Sequence, residues 1–73
     1  DEFTTAQMES IIQIVNQIQL PQHEYGASIA KYHFLLEHYS RFKAITENTD
    51  IRNRYSYFYA IIKAERDKQK GED

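Results

Sequence analysis

Apolar residues recur at steps of three and four in three separate segments of this chain, and only an amphipathic helix gathers such residues on one face. No segment sustains the two-residue alternation of a half-buried strand. Pro21 and the polar run Thr46-Glu47-Asn48-Thr49-Asp50 punctuate the pattern. The spacing therefore predicts an all-α chain: a small three-helix bundle with a long central helix, its helices near 5–20, 24–46 and 51–68. With 73 residues there is room for one domain, near the lower limit for a single unaided apolar core.

The first helix has a legible start. Thr4 can cap it, and Gln7, three residues on, can reach back to complete a capping box. Met8, Ile11, Ile12, Val15 and Ile18 form its stripe; Ile14 falls beside it and is expected to be exposed or partner-facing. Leu20 should close the helix, because Pro21 disfavours helical backbone in the residue before it.

The central helix carries Tyr25, Ile29, Tyr32, Leu36 and Tyr39 on one face, with Leu35 and Phe42 continuing it and Phe34, His38 and Ile45 on another. Two apolar faces predict that it is the most buried of the three, with Leu36 in the core. Gly26 near its start should mark an irregular first turn. Thr49 or Asp50 is the expected cap of the third helix, whose stripe is Ile51, Tyr55, Phe58 and Ile62, with Ile61 alongside. Gly71 and the charged residues around it predict a frayed tail over 69–73.

Several classes of function are disfavoured. There is no cysteine, hence neither a disulfide framework nor a cysteine-based zinc site. His33 and His38 are five apart, about 140° round a helix, so they are poorly placed to share a metal, and His23 lies near the loop. The four serines sit inside helical patterns without the strand-turn setting of a nucleophile, and no glycine-rich loop offers to cradle phosphate. The expectation is a non-catalytic protein with no cofactor, no metal and no small-molecule substrate. No run reaches the ~20 apolar residues of a membrane span. The acidic start, Asp1-Glu2-Phe3, is unlike a signal peptide, so a cytoplasmic setting is expected. Opening on Asp1 without a methionine, the chain reads as a C-terminal fragment of a longer protein.

Charge is unevenly spread over a net of −2. Residues 1–50 hold three cations against seven carboxylates, whereas residues 51–73 hold six against four. An acidic body with a mildly basic end lacks the dense basic face of a duplex-DNA reader, although a weak DNA contact is compatible with it. Lys68 and Lys70 suit the last turn of a helix, where cations complement the dipole.

Between Asn53 and Arg66 four aromatics fall within five residues (Tyr55, Tyr57, Phe58, Tyr59), followed by Ile61 and Ile62 and bounded by Arg54, Lys63 and Arg66. Aromatics supply most buried area per residue, and tyrosine keeps a hydroxyl that wants a partner, so this helix is expected to be part core and part recognition surface. Tyr55, Phe58 and Ile62 read as core, while Tyr57 and Tyr59 stand off that stripe. The segment resembles the last helix of DnaD-like domains in bacterial replication proteins, which carry a Tyr-x-x-x-Ile-x-x-x-Trp pattern after two helices and a polar loop. Tyr57 and Ile61 match its first two positions, and Glu65 stands where the tryptophan would be. More narrowly, Ile51 to Lys63 is similar to the close of plasmid replication initiators of the RepA_N type, in which a winged-helix origin-binding domain precedes a small DnaD-like C-terminal domain.

What that resemblance implies is a DnaD-like bundle serving as a replication accessory module that recruits host machinery, primase or a helicase loader, to a plasmid origin. The residues expected to meet such a protein partner are Arg52, Arg54, Tyr59, Lys63 and Arg66, on the outer side of the third helix. Two other readings stay open. One is a single-stranded DNA module, with those cations on phosphates and Tyr57 or Tyr59 stacking on bases. The other is a plain helical oligomerisation or adaptor domain using leftover apolar residues such as Ile14 and Phe34.

Overall fold

The computed structural model of the protein describes residues 2–71. It contains three α-helices and, among the described residues, no strand: α1 (Thr5–Val15), α2 (Ala27–Glu47) and α3 (Arg54–Lys70). The all-α class is as the spacing predicts, and the central helix is the longest, at 21 residues.

The chain divides into two compact units. The first joins residues up to Gln19 with those from Asn53 onward, so it contains α1 and α3. Thr4 caps α1 with the expected box: its Oγ1 accepts the Gln7 N–H at 3.1 Å, and Gln7 Oε1 accepts the Thr4 N–H at 2.9 Å. The helix stops at Val15, five residues short of the expected Leu20. Tighter bonds finish it, Gln17 N–H to Ile14 O (2.9 Å) and Ile18 N–H to Val15 O (3.0 Å), the three-residue closure that often ends a helix well before a proline. Ile11, Ile14, Val15 and Ile18 form the buried face. Ile14 is 3% exposed and Ile12 is 41% exposed, the reverse of the expectation for both. Two overlapping stripes were available in this isoleucine-rich helix, and the buried one has spacing i, i+3, i+4, i+7.

Asn53, not Thr49 or Asp50, caps α3, its side-chain oxygen accepting the Ser56 N–H at 3.0 Å. Helix therefore begins three residues later than expected and leaves Ile51 half-buried ahead of it. Phe58 and Ile62 are buried, and Tyr55 is half-buried beside them. At the starts of the two helices Phe3 stacks on Phe58 (5.6 Å between centroids) and meets the edge of Tyr55, while Glu2 pairs with Arg54. At their far ends Gln17 and Gln19 bond Arg66 and Gln69. Start meets start and end meets end, so α1 and α3 run parallel. A parallel pair needs a long connection, which residues 20–52 provide. The helix extends through Lys70, two residues into the expected tail; Glu72 and Asp73, the end of that tail, lie outside the described residues.

The second unit, Leu20–Arg52, is α2 with its flanks. Gly26 precedes the helix at φ +103°, ψ 174°, a backbone region open essentially to glycine alone, so Tyr25 falls in the turn before the helix. His23 organises that turn: its Nδ1 accepts the Tyr25 N–H and its carbonyl accepts the Gly26 N–H, both at 3.0 Å, while its ring stacks on His33. The expectation that α2 is the most buried helix is overturned. His38, Phe42 and Thr46 are buried among its 21 residues, against three among the 11 of α1, and Tyr25, Ile29, Tyr32, Leu36 and Ile45 are exposed. The buried face is made partly of polar residues that bond backbone carbonyls of the same helix through one side-chain atom each. His38 Nδ1–H donates to Phe34 O and the Thr46 hydroxyl to Phe42 O, each at 2.9 Å. A hydropathy reading passes over such a face and credits the more apolar stripe about 100° round the helix. No helix is long and apolar enough to cross a membrane among the described residues.

Candidate protein-docking surface on the third helix

The site is built on α3, rooted by Phe58 and Ile62. Residues advance 100° per position round a helix, which places Tyr59, Lys63 and Arg66 within about 60° of one another and Arg54 on the opposite side from Lys63. Four of the five residues expected to meet a partner lie on this helix, but they are not one patch. Arg52 is exposed, and belongs to the segment of the second unit that precedes Asn53.

Arg54 is held within the chain. Its Nε and Nη2 both donate to the Glu2 carboxylate, the Nη2 bond at 3.1 Å. A guanidinium in such a two-pronged grip is oriented by its own carboxylate and presents less of its fork to a visitor. Arg66 is likewise engaged, donating from Nη1 to Gln17 Oε1 (3.0 Å) and from Nε to Asp67 Oδ1 (3.2 Å). Both arginines thus tie α3 into its unit. Tyr59 is half-buried with its ring tilted on Tyr55, 5.7 Å between centroids, so the pair forms a small aromatic step on the flank of the buried face. Lys63, one turn further along, is exposed. The accessible part of the expected surface is therefore Tyr59 with Lys63, and separately Arg52.

Tyr57, Ile61 and Glu65, the positions that align with the DnaD-like pattern, follow one another at four-residue steps along a different face of α3, and all three are half-buried. That position in the pattern is occupied here by a carboxylate at partial burial.

Sequence reasoning missed Glu2 and Phe3, and the glutamines Gln17, Gln19 and Gln69. Gln19 and Gln69 form a reciprocal clasp: Gln69 Oε1 accepts the Gln19 N–H and Gln69 Nε2–H donates to Gln19 O, both at 2.8 Å. Nothing local in the sequence signals a contact fifty residues long. Phe3 did carry a signal, since an apolar residue just before a capping threonine often packs at the helix entry.

Among the described residues there is no group of three histidine, aspartate, glutamate or cysteine side chains that could hold a metal. His23 and His33 lie ring on ring at 5.1 Å and 24°, a stack rather than a ligand pair, and His38 is committed through Nδ1 to a backbone carbonyl. Compared with known proteins, the chain matches no protein-family model, no curated protein and no solved structure.

Proposed function

We propose that this chain is a non-catalytic recruitment module of a plasmid replication initiator, working in the cytoplasm to bring a host replication protein, primase first and a helicase loader second, to an origin. The reading rests on the resemblance of Ile51 to Lys63 to the close of RepA_N-type initiators. The observation that carries it furthest is the exposed Lys63 beside the Tyr55–Tyr59 step on a well-anchored helix. A rigid aromatic next to a cation is the kind of anchor that dominates protein interfaces, and a patch this small suits a transient contact.

The single-stranded DNA reading is the weaker of the two. Arg54 and Arg66 are bonded within the chain, which leaves Lys63 and Arg52 as the exposed cations among the five residues, on a molecule of net charge −2. Phosphate neutralisation needs several cations on one face.

The test is a calorimetric titration of the folded chain against purified primase, helicase and helicase loader, repeated with Tyr59→Ala and Lys63→Glu. Micromolar binding to one of them that either substitution weakens tenfold or more supports the reading. Binding to none of the three removes it. Arg54→Glu makes a poor probe of docking, because it would set a second carboxylate against Glu2.

A further inference from the structure

The bend ahead of α2 passes through Gly26, which has no side chain with which to cap the helix, and it is held from one residue, His23. The His23 carbonyl accepts the Gly26 N–H and its Nδ1 accepts the Tyr25 N–H, both at 3.0 Å. A side-chain acceptor for the N–H two residues on is the usual device of asparagine and aspartate at the first position of a turn. Here an imidazole takes that place. An asparagine would keep its acceptor at any ordinary pH, whereas a histidine gives its acceptor up when it takes a second proton. We propose that His23 is a pH-operated latch on the start of α2, closed while its Nδ1 is bare and opened by the proton that occupies it.

The turn fixes the tautomer. A backbone N–H only donates, so Nδ1 must accept and the ring's single proton sits on Nε2. A second proton goes to Nδ1, turns the acceptor into a donor and sets two N–H groups against each other. The same event charges a ring that lies on His33 of α2, 5.1 Å between centroids and 24° from parallel, and two imidazoliums so placed repel. That stack ties the residues ahead of α2 to its second turn, and with His23 half-buried and His33 exposed, water reaches both rings. The other groups around the pair are Tyr25, whose ring is 5.6 Å from that of His23, Tyr32, edge-on to His33 at 6.3 Å, and the exposed carboxylate of Glu24, next in the chain. These neighbours bear on the pH at which the proton arrives; its consequence follows from Nδ1. Because the closed turn needs the neutral ring, the turn is held at higher pH and released as pH falls. Release frees the segment ahead of Gly26 and leaves the first bond of α2, Ala30 N–H to Gly26 O at 3.2 Å, at an unsupported end. The latch lies wholly within the second unit and does not use α1 or α3.

Proton–nitrogen NMR of the 73-residue chain, titrated from about pH 8 to about pH 5.5, reads ring and backbone together. At the upper end the His23 ring nitrogens should report the Nε2–H tautomer. As pH falls, the Tyr25 amide proton should move upfield toward its unfolded position, with the same midpoint as the His23 ring. His23→Asn keeps the acceptor and cannot titrate, so it should hold the Tyr25 amide at its closed position throughout; His23→Asp serves should the asparagine turn fail to close. His23→Ala should place the Tyr25 amide at its open position already at the upper end. His33→Gln removes the second imidazole but not Nδ1, and the Tyr25 amide should still follow His23. An Nδ1–H tautomer at the upper end overturns the proposal. So does a Tyr25 amide that stays put while His23 titrates, or one that moves as far in the asparagine and aspartate variants as in the wild type.

Discussion

Phe58 and Leu36 are both large apolar residues placed on helical stripes, yet their surroundings differ. Phe58 is 2% exposed and carries Phe3 stacked on its ring, so Phe58→Ala should cost about 3–5 kcal/mol in urea unfolding. Leu36 is 44% exposed, and Leu36→Ala should cost about 1 kcal/mol or less, against the larger loss that the sequence alone predicts. Equal losses for the two would mean that the exposed face of α2 is covered. Gly26 is a separate case, since its cost comes from backbone and not from packing. A Cβ there would meet nothing within 4 Å, but φ +103° with ψ 174° excludes side-chain-bearing residues. Gly26→Ala should therefore cost about 1–3 kcal/mol in the same experiment despite the open space.

The start of α1 was legible, whereas the start of α3 was read three residues early and with the wrong cap. The Thr4–Gln7 capping box is written in a four-residue window and is made as read, because both partners are fixed by local geometry. Thr4→Ala should lower stability by about 1 kcal/mol by thermal denaturation, and Asn53→Ala should do the same for α3. Faces depend on what lies across from them. Within α1 the choice between Ile12 and Ile14 is settled by α3, whose Phe58 and Ile62 share the buried interior of that unit, and no periodicity within α1 contains that information. Within α2 the buried face includes His38 and Thr46, whose Nδ1 and hydroxyl bond carbonyls one turn back, so a hydropathy reading favoured a different face. The docking residues were misjudged for a related reason. Arg54 and Arg66 look like surface cations until Glu2 and Gln17, some fifty residues away, are brought to them.

At the scale of the molecule, the distribution of engaged and exposed cations bears most directly on partners. A basic C-terminal segment invites a nucleic-acid reading, but two of its arginines are spent on holding α1 and α3 side by side, and Lys63 stands on a face that Asp67 also borders. The remaining exposed cations, Arg52, Lys63, Lys68 and Lys70, are spread along the segment in a chain whose net charge is −2. Each phosphate contact that survives contributes a near-unit step to the slope of affinity against salt, so few contacts mean both weak binding and a shallow slope. The chain alone should bind duplex DNA with a dissociation constant weaker than ~10⁻⁵ M at physiological salt, and lowering the salt should recover only a modest part of the lost affinity. Fluorescence anisotropy with a labelled duplex over a salt series measures both quantities. A sub-micromolar, sequence-specific complex would assign origin reading to this chain and displace recruitment as its role. A weak complex with a steep slope would instead mean that Arg54 and Arg66 leave Glu2 and Gln17 for phosphate, which Glu2→Gln should then strengthen by freeing the first of them.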